Sequence, residues 1–177
     1  HAFAEHLKFV RNWREGSFFD LLQGSLQDAS TIIYLNNDQS TSSAPNGNLA
    51  REFLDLFALG EGNYDEKDVR NLALLFTGHG FNLADERYHF YPEHAHNGQI
   101  NIFGERVKST EKFFEVLQEQ DAISNFIASK FYKEFISLDE IKNLDLKKIS
   151  GRFEKSDYDI ITLFEAVISS RVFWENS

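Results

Sequence analysis

The sequence predicts a mainly α fold: a single helical domain of about seven helices over residues 1–177, with a small β-hairpin insertion at 81–107. Three observations predict it. Apolar residues recur at spacings of three and four along most of the chain, the period of one helix face. The two prolines, Pro45 and Pro92, both sit in loop-like surroundings, while good helix formers abound. Helical period disappears over 81–107, where a strong turn dipeptide stands instead. With 42% apolar residues and eighteen Phe, 177 residues can fill a core of large rings, burying roughly 70% of the unfolded chain's surface.

The first element, residues 2–14, carries Phe3, Leu7, Val10 and Trp13 on one helical face. Gly16 breaks it, and Ser17 caps a second helix whose apolar positions run from Phe18 through Leu21, Leu22 and Leu26 to Ile33. Residues 36–47, rich in Asn, Ser, Thr, Pro and Gly, read as a loop. Asn48 is placed to cap a third helix through Phe53 and Phe57, with Gly60 at the C′ position. Asp65 with Asp68 resembles a capping box and opens a helix to Phe76, stopped by Gly78 and Gly80.

Asn97-Gly98 is the strongest hairpin signal, because both central residues of a type I′ turn need positive φ. Taken literally it pairs His96 with Gln99, Ala95 with Ile100 and His94 with Asn101; a longer ribbon between 88–91 and 100–103 competes with it. Helices resume at Ser109, at Ala122 and over 138–153. Asp157 or Asp159 caps a last one through Ile160, Leu163, Phe164 and Val167.

The formal net charge is −10, and no basic stripe is present, which argues against nucleic acid or an anionic membrane surface as partner. The absence of cysteine excludes disulfides and thiolate chemistry. No apolar run approaches a membrane span. No signal peptide is visible. The chain begins at His1 and lacks Met, so the expectation is a fragment or processed form of a larger chain.

Residues 46–60 read Asn-Gly-Asn-Leu-Ala-Arg-Glu-Phe-Leu-Asp-Leu-Phe-Ala-Leu-Gly. This resembles the signature of the Domain of Unknown Function 1800 family. The likeness continues in order through 64–69, Leu75-Phe76-Thr77-Gly78, Phe126-Ile127-Ala128-Ser129-Lys130, 156–160 and 169–174. His79 stands where that family usually has Trp. Around Gly98, Ala95 and His96 take the places of a His-Asp pair. The resemblance implies a larger, mainly helical, exported bacterial protein, periplasmic or extracellular, whose N-terminal half would be one partner. A co-encoded exported protein of alkaline-phosphatase-like fold would be another. It implies no established activity.

Two constellations carry candidate chemistry. His79, His89, His94 and His96 fall within eighteen residues. In a strand, His94 and His96 point the same way about 7 Å apart, so a divalent metal could take them with His89, His79 or a carboxylate, leaving a position open for water. The competing reading is a solvated hairpin that binds nothing. The second constellation is Asn46, Asn48, Arg51 and Glu52. Either Arg51 forks onto an anion or carboxylate, or Asn48 caps, Arg51 pairs with Asp55 and Glu52 satisfies loop amides. Glu86-Arg87-Tyr88-His89 has the Glu-x-x-His spacing of di-iron helices but no second copy. No serine stands in a Gly-x-Ser-x-Gly context. The leading expectation is an accessory interaction module of an exported protein. The alternative is a metal-dependent hydrolase using residues 79–96.

Overall fold

The computed structural model describes residues 2–13, 16–138 and 141–175, and within them the fold is mainly α. The chain runs through α1 (Ala2–Asn12), α2 (Phe18–Ser25), α3 (Ala29–Tyr34), a 3-10 turn (Asn37–Gln39) and α4 (Gly47–Glu52). α4 passes directly into a π-helical segment (Phe53–Ala58), and α5 (Glu66–Leu75) follows. Two antiparallel ribbons come next, β1 (His79–Asn82) with β2 (Arg87–Phe90) and β3 (Ile100–Ile102) with β4 (Glu105–Val107). Helices α6 (Thr110–Gln118), α7 (Ala122–Phe135), α8 (Asn143–Lys155), α9 (Ile160–Ile168) and α10 (Arg171–Glu175) complete the described chain.

Local chemistry sets these boundaries. Ser17 caps α2 by accepting from Phe19 N, but the run expected to continue to Ile33 divides. The cause is Asp28, whose carboxylate accepts from Thr31 N at 2.8 Å and starts α3 afresh. Asn46, not Asn48, caps α4: its Oδ1 accepts from Asn48 N at 2.9 Å. The Asp65–Asp68 capping box forms as expected. Asp159, not Asp157, caps α9, because Asp157 and Tyr158 both take positive φ in the preceding turn. The helix expected over 138–153 begins at Asn143; Asp139 and Glu140, like Arg14 of the first helix, lie outside the described residues.

The hairpin is where sequence and structure part. Asn97-Gly98 makes no turn between strands, because the flanking backbone bonds elsewhere. His94 N donates to Tyr91 O and Ala95 N to Pro92 O, while His94 O accepts from Ser42 N. His96 N donates to Thr77 Oγ1 at 2.8 Å. With those groups committed, no ladder can zip across the dipeptide. The longer register between 88–91 and 100–103 is also absent, since β2 pairs back onto β1, with His79 opposite Phe90 and Phe81 opposite Tyr88. The two-residue turn with both central φ positive is Phe103–Gly104, at 52° and 83°, between Ile102 and Glu105. A phenylalanine there is costly. Asp68 Oδ1 offsets this by accepting from Phe103 N at 2.8 Å.

The core is organised around Phe53, fully buried at the α4–π junction. Its ring packs 5.4 Å from Phe76 of the α5 end, 5.9 Å from Phe113 and 6.0 Å from Phe114 of α6. Edge-to-face rings at these distances gain beyond simple burial. A second group joins the chain's two ends: Phe18 and Phe19 of α2 against Phe153 of α8 and Tyr158. Backbone bonds reinforce it, Phe18 N to Tyr158 O at 2.8 Å and Ile160 N to Gly16 O at 3.0 Å. Fully buried Asn37 ties the 3-10 turn to the α5–β1 corner by donating to Phe76 O and His79 O.

In the π segment Leu54 O accepts from both Leu59 N and Gly60 N. Gly60 ends it at φ 79°, and a Cβ there would lie 2.7 Å from the Phe126 ring of α7. Gly62, at φ 88°, faces open space. Gly60→Ala should therefore cost backbone strain plus displacement of Phe126, about 2 kcal/mol or more. Gly62→Ala should cost strain alone, about 1 kcal/mol. Urea unfolding of the pair measures the difference, and equal losses would disprove the close packing at Gly60.

Candidate functional site

The signature polar group is drawn into the scaffold. Asn46 caps α4 and its Nδ2 donates to Asn36 O at 2.7 Å; Asn48 Nδ2 donates to Leu35 O at 3.2 Å. Together they hold the end of α3 against the start of α4. Arg51 does not pair with Asp55. Its guanidinium forks onto Glu66 of α5 at 2.9 and 2.8 Å, which raises the Arg51 pKa and lowers that of Glu66. Asp55, on the π segment, instead accepts from the Tyr64 hydroxyl. Burial, and then that carboxylate, push the Tyr64 phenol up to about 12. Glu52 is half-buried and satisfies no loop amide among the described residues. Three of the four candidates thus act as internal fasteners between α3, α4 and α5.

The four histidines do not converge. Register puts His79 and His89 on opposite faces of the β1–β2 ribbon, since residues directly across share a face and neighbours alternate. His79 is buried among Phe76, Tyr88 and Phe90, at ring distances of 6.3, 5.8 and 5.3 Å. Its Nδ1 lies 3.1 Å from the Tyr88 hydroxyl, and its ring also bonds the Leu26 backbone. His89 Nε2 faces Asp85 at 2.8 Å on the outer side. Exposed His94 stacks on Tyr91 at 5.5 Å. The His96 ring folds against Gly98, where a Cβ would sit 2.4 Å from its Nε2. Among the described residues no three His, Asp or Glu side chains are grouped to hold a metal ion. The expected common face required the Asn97-Gly98 hairpin, and that hairpin does not form.

The structure assembles a different feature. α1 buries none of its residues, and Phe3, Leu7 and Val10 are exposed at 68%, 43% and 48%. The helix is held by Phe9, packed so closely on Gly24 that a Cβ there would lie 2.6 Å from the ring, and by His6 Nδ1 at 2.9 Å from the buried Asp28 carboxylate. Beneath it runs an apolar groove of about 340 Å³ between α1, α2, the π segment and α7, lined by Val10, Leu21, Leu56, Phe57 and Phe131. Lys130 stands at its edge. Its ammonium donates to Leu56 O and lies 4.9 Å from the Phe126 ring centroid. Partial burial holds its pKa below the ordinary lysine value.

Over residues 2–177 the chain matches the family described as Protein of unknown function (DUF1800). It belongs to that family. No curated protein and no solved structure matches it. In this DUF1800 chain the stretches that carried the likeness interlock. Lys130 and Phe126, from Phe-Ile-Ala-Ser-Lys, clasp Leu56 O and Gly60 of the long signature. The Leu56 carbonyl is available because Gly60 N turns to Leu54 O instead. Spacing alone offered no signal for this clasp, nor for the His6–Asp28 contact, since each joins residues distant in sequence.

His79 carries a pH dependence. Burial lowers its native pKa, while in the unfolded chain it titrates near 6.5. The unfolded state therefore binds more protons below that value. The stabilisation is complete above about pH 6.5 and is lost as pH falls towards the lowered native pKa. Chemical unfolding from pH 7.5 to 5 should show a shallower acid-side loss for His79→Phe, which keeps a ring in place, than for the native chain. Identical slopes would mean that the ring charges freely inside the fold.

Proposed function

We propose that this chain is an interaction module of a larger exported bacterial protein, docking that protein's N-terminal part across the α1 face and the groove beneath it. The single observation that carries the reading is α1 itself. A helix with one apolar face normally buries it, yet here Phe3, Leu7 and Val10 face outward beside a groove lined by further apolar side chains. Exposed apolar surface of this kind marks docking sites more often than it marks chance. The histidines are separated and the Asn46–Arg51 group is bonded internally, which also favours a docking role over a catalytic one. An apolar helix laid between α1 and α7 would cover both the α1 face and the groove lining.

Comparison of this chain with the longer protein tests the reading. In isolation the α1 amides should exchange quickly and the groove should bind a hydrophobic dye. In the longer protein α1 should be protected at least tenfold and dye binding lost. Val10→Asp or Leu56→Asp should restore both signals while leaving the helix content unchanged. Equal exchange of α1 in the two proteins would sink the proposal.

A further inference from the structure

We infer that the cleft between α1, α2 and the β1–β2 ribbon binds a neutral saccharide. Its volume is about 610 Å³, within the range of small-molecule sites. It lies on the flank of α1 that carries Glu5, Lys8 and Asn12, whereas the apolar groove lies on the flank of His6 and Val10. A second hollow of about 230 Å³ shares Trp13, Gly24 and Gln27 with it. The cleft therefore continues past Trp13, with room for more than one sugar ring.

The observation that points to a ligand is Asp28. Its side chain is 5% exposed, and Oδ2 alone takes the local donors: His6 Nδ1 at 2.9 Å, and Thr31 N and Oγ1, both at 2.8 Å. Among the described residues Oδ1 accepts no hydrogen bond, yet it is not sealed in the interior, so it is the oxygen that Asp28 presents to the cleft. A carboxylate oxygen so placed is costly unless something donates to it. Asn12 and Gln27 line the same cleft with exposed side chains that make no hydrogen bond among the described residues. Each carboxamide offers both donors and an acceptor.

The apolar part of the cleft is preset. Half-buried Trp13 packs edge-on against Phe9 at 6.2 Å, and Phe9 is itself pressed on Gly24. Tyr88 is held through its hydroxyl, 3.1 Å from His79 Nδ1. A pyranose carries C–H bonds on its faces and hydroxyls around its rim, which matches rings set beside carboxamides and a carboxylate. Charge argues against an ionic ligand. The lining holds Glu5, Asp28 and Glu86 with Lys8 and Arg87, and Glu5 pairs with Lys8 at 2.8 Å. An anion would meet the three carboxylates and a cation the two basic groups, whereas a neutral polyol can use both kinds.

The test titrates the intact chain with maltose, cellobiose, xylobiose and diacetylchitobiose, and with digalacturonate and glucosamine as charged counterparts. Because the chain has two tryptophans, a Trp174→Phe background leaves the fluorescence of Trp13 alone to report binding. At least one neutral disaccharide should change that signal saturably, with a Kd of about 1 mM or tighter, and neither charged sugar should match it. By calorimetry, Asn12→Ala and Gln27→Ala, both at exposed positions, should each weaken that sugar roughly fivefold with Tm unchanged. Trp13→Ala and Asp28→Asn should weaken it further. Leu56→Asp, in the apolar groove, should leave it unchanged, which separates this cleft from the docking face. The inference is overturned if no neutral disaccharide binds at about 10 mM, if a charged sugar binds as tightly, or if Asn12→Ala and Gln27→Ala leave the affinity as it was.

Discussion

Everything in this fold hangs on how the backbone widens between Phe53 and Ala58. An α-helix continued through that stretch would direct each amide to the carbonyl four residues back. Here Leu59 and Gly60 both reach back to Leu54. The wider turn leaves the Leu56 carbonyl for Lys130 and lets Gly60 lie flat under Phe126, so α7 docks on backbone as well as on side chains. At the other end Phe53 enters the ring cluster that joins α5 and α6. One segment therefore anchors three helices. Such local widenings persist only where surrounding contacts hold them, and they are found disproportionately at positions that matter.

Much of the architecture was legible in the sequence because it rests on local chemistry. The capping box at Asp65–Asp68 needs two carboxylates three residues apart, and both bonds form. The Ser17 cap needed only its own neighbourhood. The failures have a common cause. Asn97-Gly98 has a stronger intrinsic preference for a tight turn than Phe103–Gly104, yet the turn forms at the latter. Asp68 and the packing of Phe103 near Phe113 supply from elsewhere in the chain what the dipeptide lacks. Arg51 likewise had a local partner in Asp55 and took Glu66, fifteen residues away, because the π segment turns Asp55 towards Tyr64. The candidate metal face depended on the hairpin and fell with it. Tertiary context overrode local preference in each case.

The polar residues divide into two populations. Asn37, Asn46, Asn48, Asp68 and Thr77 bond to the backbone of distant segments and serve as rivets across loops. Among the described residues Lys148 and Arg152 form no ion pair with an acid, and both line open space. Groups of the first kind spend most of their hydrogen-bonding capacity inside the fold, with Asn37 Oδ1 a buried acceptor left without a partner. Chemistry directed outward has to come from the second kind, and from apolar faces such as that of α1.

The widened turn also places a constraint on chain length that no substitution analysis would reveal. Each residue of a helix advances the side chains by about 100° around its axis. Removing one residue between Phe53 and Ala58 would allow regular α geometry, but it would swing α4 by roughly that angle relative to everything after it. Arg51 would leave Glu66. In the signature stretch, the number of residues is as much a part of the specification as their identities.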